Sequence, residues 1–430
     1  MNSEIFEQWE SDIRGYCRVY PTVFTKASNA RQWDEDGKSY IDFFAGAGVL
    51  NFGHNNPLMK EALIEYIEQD GVTHSLDTYT VAKREFIETF VKTILKPRGM
   101  NHKLQFMGPT GTNSVELALK MARKATGRST VVAFSHAFHG MTLGALACTT
   151  NNHFRHAAGV PLEHVIHEPF GCEKTCVGCQ LGCGMNALDN LRARFEDSSS
   201  GLPMPAAFIV EPIQAEGGVN VASAEWLLAV QKLAHDLGAL FILDDIQAGC
   251  GRTGQYFSFD GMGLDPDVIT LAKGLGGFGT PIAMNLVKPE YDKLWKPGEH
   301  TGTFRGQNLS FVAGKIGLSY FADDAFNQDT RRKGQVMAKA LEAIVAQYPE
   351  HPFQVRGKGM MQALDVTDGN IAKHIVQGCF ERGMLCGSVG TGGRAIKLIP
   401  PLTIPDQDLK AGLEIFADAV AAAVPQPETA

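Results

Sequence analysis

Asp267-Val-Ile-Thr-Leu-Ala-Lys273-Gly-Leu-Gly-Gly-Phe-Gly279 is the stretch on which the fold turns. Its first half is a short apolar run and its second half is rich in glycine. Such a run, bounded in this way, reads as a buried strand with a loop at its carboxyl end. Lys273 sits at the junction. An amine beside apolar surface is harder to protonate than one in water. A neutral lysine amine can form a Schiff base with an aldehyde.

A second apolar run, Leu240-Phe-Ile-Leu243, ends in Asp244-Asp245-Ile246-Gln247. A lone lysine at a strand end is usually a solvated charge. A lone Asp-Asp pair is more often a turn or a helix cap. Together, at one edge of a sheet, they form the pair that pyridoxal phosphate (PLP) needs. The lysine holds the aldehyde and the acid keeps the ring nitrogen protonated.

The chain has 430 residues, enough for two domains or one large domain with a satellite. Hydrophobic residues make up 44% and charged residues 20%, as expected of a folded globular protein. The net charge of −8, without a long basic block, argues against nucleic acid or an anionic membrane as partner. The first residues are acidic and lack the apolar core of a signal peptide. No apolar stretch reaches membrane-spanning length. A cytoplasmic location is therefore expected, with the nine cysteines reduced or bound to metal.

From about residue 58 to 320, short apolar runs alternate with helical patterns. The runs include Val131-Val-Ala-Phe134, Ala207-Phe-Ile-Val210, Leu240–Leu243 and Val268–Leu271. This alternation predicts an α/β fold with a mainly parallel sheet covered by helices. Ligands of such sheets bind outside the carboxyl ends of the strands. The chemically interesting residues follow those ends: Phe138-His139-Gly140, Glu211-Pro212, Asp244 and Lys273. From about residue 325 the pattern changes to helices such as Arg331–Gln347 and Asp406–Ala422 around short runs such as Met360–Asp365 and Ala395–Leu398. This predicts a smaller α+β domain, completed by the first fifty or so residues. The expected division is 1–57, 58–324 and 325–430. Trp33-Asp-Glu-Asp-Gly-Lys-Ser-Tyr-Ile-Asp-Phe43 reads as a hairpin around Asp-Gly.

Three loops add to the picture. Gly108-Pro-Thr-Gly-Thr112 leads into a stretch with Val115, Ala118, Leu119 and Ala122 at helical spacing. A glycine loop entering a helix suits a phosphate, and it equally suits a plain capped helix start. Phe138 could stack on a flat cofactor or mark a core boundary. Glu211-Pro-Ile-Gln-Ala-Glu216-Gly-Gly218 and Cys250-Gly-Arg252-Thr-Gly254 read as surface turns when taken alone.

Taken in order, these residues resemble the class III aminotransferases, the ω-aminotransferase branch of PLP fold type I. Asp244-Asp-Ile-Gln-Ala-Gly-Cys-Gly-Arg-Thr-Gly254, Asp265-Pro-Asp267 and Ala272-Lys273-Gly274 carry the resemblance. It implies a large domain with a mainly parallel seven-stranded sheet and a smaller α+β domain. It implies Lys273 as the lysine that holds PLP and Asp244 as the partner of the ring nitrogen. Gln247 would bond the ring 3′-oxygen, Gly111 and Thr112 the phosphate, and Phe138 would stack on the ring. His139 and Glu211 would complete the cofactor shell, with Glu216 and Lys397 facing the substrate. Thr303 resembles the threonine that reaches the phosphate of a neighbouring subunit, which implies a homodimer or a dimer of dimers.

Further segments narrow the resemblance, among them Ser11-Asp-Ile-Arg-Gly-Tyr-Cys-Arg18, Phe43-Phe-Ala-Gly-Ala-Gly48 and Trp295-Lys-Pro-Gly-Glu-His300. They are similar to the family branch that moves the amino group of glutamate to aspartate 4-semialdehyde. That transfer yields 2,4-diaminobutyrate, the precursor of the osmolyte ectoine. Another diamine or ω-amino-acid aminotransferase would keep the same cofactor residues. A PLP racemase or decarboxylase would share the fold. A NAD-dependent dehydrogenase would need a Gly-x-Gly-x-x-Gly turn after the first strand, and Gly274-x-Gly276 comes too late.

Two features depart from the family pattern. Ornithine-type members have an arginine where Lys397 precedes Leu-Ile-Pro-Pro-Leu402, and lysine lacks the bidentate fork. Cys172, Cys176, Cys179 and Cys183 are foreign to the family. Four cysteines in twelve residues suit a thiolate metal site, structural zinc before iron–sulfur, or a reduced cysteine-rich loop.

Overall fold

The computed structural model describes residues 3–171 and 184–424. Its centre is a seven-stranded sheet. The strands lie in the order Lys103–Phe106, Met284–Val287, Val268–Leu271, Leu240–Asp244, Ala207–Val210, Val131–Phe134 and Val165–Glu168. Met284–Val287 runs antiparallel to both neighbours, and the remaining pairs are parallel.

The apolar runs explain this placement. Leu240 and Ile242 pack into one core, while Phe241 and Leu243 pack into another. Alternate side chains of a strand point to opposite faces, so both faces of the sheet are covered. The expected strands Val131–Phe134, Ala207–Val210 and Val268–Leu271 are buried throughout. The edge strand Lys103–Phe106 is the more exposed, as edges are. Helix Gly111–Thr126 buries Val115, Ala118, Leu119 and Ala122 against this sheet, and Gly127 closes it at φ 69°.

Two four-stranded sheets lie outside this body. In the first, Arg31–Asp34 and Ser39–Asp42 form the hairpin expected around Asp36-Gly37. Its inner strand then pairs in parallel with Met384–Leu385. The second is antiparallel and contains Gln354–Lys358, Met361–Asp365, Ala395–Leu398 and Gly387–Val389. Ile41 and Phe43 share a core with Leu398 and Phe416. The two ends of the chain thus bury one another's apolar surface. Among the described residues, no helix is long and apolar enough to cross a membrane.

Arg252 ties the two bodies together. The sequence alone places it in a surface turn, but it is fully buried. Its Nη1 donates to the carbonyls of Pro400 and Met360, and its Nη2 donates to Asn51 Oδ1 at 2.6 Å. Met360 N in turn donates to the Arg252 carbonyl at 3.0 Å. Arg252→Ala leaves those acceptors buried without donors. It should lower unfolding free energy by about 3 kcal/mol in urea titrations. A loss below about 1 kcal/mol would show that water replaces the guanidinium.

Candidate active site

The carboxyl ends of the parallel strands open onto a cavity of about 250 Å³. Lys273 follows strand Val268–Leu271 and lies at φ 48°, a left-handed conformation that side chains other than glycine rarely adopt. Asp244 ends strand Leu240–Asp244. Phe138 and His139 follow Val131–Phe134, and Glu211 follows Ala207–Val210. Gly111 and Thr112 form the first turn of helix Gly111–Thr126. With Gln247 and Glu216, all of these line the one cavity. Lys397 stands behind Glu216, with Nζ 2.5 Å from its Oε1.

Each charged group is tuned by its neighbours. Burial pulls the Lys273 ammonium down to about 8, against the attraction of Glu216. Asp244 accepts on both oxygens. Oδ2 lies 2.7 Å from His139 Nδ1, and Oδ1 accepts from Thr270 Oγ1 at 3.0 Å and from Ile246 N at 3.2 Å. Burial and the nearby Asp244 charge push Glu211 well above the ordinary carboxylate range, while Phe138 N donates to its Oε2 at 3.0 Å. Burial would also raise Glu216, but Lys397 and Lys273 outweigh it and bring the group to about 2. Gln247 Oε1 accepts from Lys397 Nζ at 3.1 Å, and its Nε2 donates to the Ala47 carbonyl at 2.7 Å.

The walls fit a flat aromatic aldehyde that carries an anion. The first N–H groups of a helix have no partner within the helix and attract negative charge. Gly111 allows the close packing here, since a Cβ would come within 3.1 Å of the Ile246 side chain. At Gly140, φ 133° and the adjacent Thr112 side chain leave no room for a Cβ. Phe138 supplies an aromatic wall, backed by Phe154 with ring centroids 5.6 Å apart. Asp244 supplies a fixed acceptor and Lys273 an amine.

Thr303 stands apart from this group. It is exposed, outside the cavity, and its carbonyl accepts from His74 Nε2 at 2.8 Å. Cys172, Cys176, Cys179 and Cys183, the expected metal ligands, lie outside the described residues. Among the described residues, no group of three or more His, Cys, Asp or Glu could hold a metal. The sequence reading missed Thr270, whose signal is one polar residue inside an apolar run. It also missed Thr142, whose Oγ1 lies 2.7 Å from Thr112 Oγ1.

The chain's relatives share this arrangement's family. The family model of the class III aminotransferases matches residues 15–420. The chain is 46% identical over 424 residues to the diaminobutyrate–2-oxoglutarate transaminase of Halalkalibacterium halodurans, covering 99% of this chain and 97% of that protein. It is 47% identical over 420 residues to the transaminase of the same name from Halomonas elongata, covering 97% and 98%. Among solved structures, the ornithine aminotransferase of Toxoplasma gondii superposes with a TM-score of 0.81 at 26% identity, over 98% of this chain and 94% of that one. That crystal, grown with oxidised glutathione, shows partial occupancy of PLP at its active site. Match, coverage and shared fold lead to one conclusion: this chain belongs to the class III aminotransferases.

Proposed function

We propose that this chain is a PLP-dependent transaminase that moves an amino group between glutamate and aspartate 4-semialdehyde. The products are 2-oxoglutarate and L-2,4-diaminobutyrate, which feeds ectoine synthesis. The observation that carries the reading is the Lys273 amine, brought down to a pKa of about 8 by burial, in one cavity with a doubly bonded Asp244. The names of the two bacterial relatives supply the substrates.

Bound PLP supplies an aldehyde for the amine and a ring that accepts the electron pair left when the donor carbon loses its proton. The chain's residues do the rest. Gly111 and Thr112 would hold the phosphate at the helix start, and Phe138 would cover one ring face. Asp244 would keep the ring nitrogen's proton, with His139 and Thr270 fixing which way its oxygens point. Gln247 would bond the 3′-oxygen, with Glu211 in the same cavity. Lys273 would take the proton from the substrate's amine-bearing carbon and deliver it to the cofactor's aldehyde carbon, on the far side of the nitrogen that joins them. An amine with a pKa of about 8 serves in both directions near neutral pH. The carboxylate of glutamate, rather than that of the diamino acid, would compete with Glu216 for Lys397.

We also propose the division 1–57, 58–324 and 325–430, with the first segment straddling both bodies. Asn51 bonds Arg252, whereas Phe43 lies in the C-terminal core. Exposed Thr303 beside exposed Phe304, together with exposed Tyr79, supports a homodimer in which Thr303 serves the partner's phosphate site. The buried free thiols of Cys148, Cys250, Cys379 and Cys386 suit a reducing cytoplasm.

Lys273→Ala should cut turnover about 10³-fold or more, with folding unchanged by circular dichroism. Appreciable turnover without added amine would reassign the base. In cofactor-free wild type, the rate of reaction with pyridoxal should rise with pH around a midpoint near 8, because the neutral amine is the nucleophile. A midpoint at the ordinary lysine value would remove the burial effect.

Asp244→Asn should retain PLP but lose about 10²-fold in turnover, since an amide cannot hold the ring proton. Near-normal turnover would point to another acid.

Thr303→Ala should weaken PLP affinity about tenfold, measured by dialysis against the free cofactor. A fully active monomer in sedimentation would contradict both the dimer and the role of Thr303.

A further inference from the structure

The proposed reaction leaves one part of the substrate without a place. A substrate that reacts at its far amine carries an α-ammonium and an α-carboxylate at its other end. Among the described residues lining the cofactor cavity, Lys273 is the one lysine or arginine, and it is engaged with the reacting atoms. Lys397 is neutralised by Glu216 at 2.5 Å. The carboxylate therefore needs other cations.

A second cavity, of about 510 Å³, lies against the same Glu216, which lines both spaces. One wall is a single face of helix Gly369–Glu381. Lys373, Val376, Gln377 and Phe380 stand there at i, i+3, i+4 and i+7. The facing wall is the N-terminal segment, with Tyr16 and Arg18. Tyr16 packs on Phe44, with ring centroids 5.0 Å apart. Its hydroxyl feels the Glu216 charge, which adds to burial in raising its pKa.

The charges in this second space are unevenly satisfied. Gln377 Nε2 donates to Glu381 Oε1 at 2.9 Å. Arg18 pairs with Asp12 at 3.4 Å, but Asp12 is 94% exposed, so the pair is weak and easily exchanged. Lys373 is exposed and has no ion pair among the described residues. Arg18 and Lys373, beside the Lys397 already paired with Glu216, thus face an aromatic-lined space that also holds a tyrosine hydroxyl and two carboxylates, Glu216 and Glu381. That mix suits a zwitterion better than a simple anion or an apolar chain.

We propose that this second cavity binds the α-amino and α-carboxylate head of the diamino-acid substrate, with Arg18 and Lys373 facing the carboxylate. The far amine then reaches past Glu216 toward Lys273. The head is thereby read by residues from both ends of the chain, while the reacting amine is read by residues of the large sheet. This inference rests on the reaction proposed above.

The test compares two amines on the holoenzyme, with 2-oxoglutarate as acceptor. 2,4-Diaminobutyrate carries the head, and 1,3-diaminopropane has the same amine spacing without the carboxylate. The Arg18→Ala/Lys373→Ala variant should raise KM for diaminobutyrate about tenfold or more. KM for diaminopropane should stay within about twofold of wild type. Calorimetric titration of the cofactor-free chain with each amine should show the same split without any turnover. Lys373→Glu should weaken diaminobutyrate further, by reversing the charge. A thermal midpoint near that of wild type confirms folding, and the single variants stand in if the double variant unfolds. Equal rises for both amines, or no rise for either, overturn the subsite and leave the proposed reaction standing. A wild-type holoenzyme that turns over other amines but not diaminobutyrate overturns the proposed reaction and the subsite with it.

Discussion

Taking the Lys273 amine out of water is the constraint around which the site is arranged. Desolvation disfavours whichever form of a group is charged, so it lowers amines and raises acids. Lys273 falls to about 8 and Asp245 rises to about 8 by the same cause. Burial alone would leave these groups inert, and partners then sort them. Asp244 keeps its acceptors aimed at the cavity through His139 and Thr270. Asp245, one residue on, is turned away and bonds Ser258 at both its hydroxyl and its N–H. Glu216 stays acidic because Lys397 lies against it and Lys273 is close by. Neighbouring carboxyl groups therefore do different work because their surroundings differ.

That arrangement requires a sheet whose strands end together. Parallel strands send their carboxyl ends the same way, and they need cover on both faces, which the two cores supply. The left-handed backbone at Lys273 costs energy that a loosely held loop would relax away. Here the strand before it and the short helical turn Lys273–Gly276 after it hold the residue. The second body serves the same end. Strand Ala395–Leu398 brings Lys397 to Glu216, and Arg252 clamps the loop after Asp244 to the Pro400 and Met360 carbonyls.

Much of this was legible in the chain because the central strands are apolar on both faces. A run such as Leu240–Leu243 has few other places to go, and the polar residues at its end then fall at the sheet edge. Helix Gly111–Thr126 was legible from its spacing. What could not be read is contact between distant segments. Lys397 and Glu216 are 181 residues apart, and no periodicity links them. Arg252 looked like a turn residue because glycines flank it, yet those glycines let the backbone fold tightly around a buried guanidinium. Thr270 was hidden because a single threonine in a strand usually satisfies itself. Thr303 is exposed and lies outside the cavity, so the fold of one chain gives it no place in the site.

The choice of lysine over arginine at 397 follows from the geometry it must satisfy. Its ammonium meets two acceptors on different side chains, Glu216 Oε1 and Gln247 Oε1. A compact head with rotatable donors can meet both, whereas a planar fork is matched to the two oxygens of one carboxylate. Gln247 is itself held by the Ala47 carbonyl, so it gives Lys397 a second, fixed acceptor beside Glu216. Glu216 is the more exposed member of the pair, at 30% against 2%, and it lines both cavities. A buried ammonium cannot lose its counter-charge without a replacement, because leaving it unpaired costs about 3–5 kcal/mol. The pair therefore holds Glu216 at the boundary between the two cavities for as long as Lys397 has no other counter-charge.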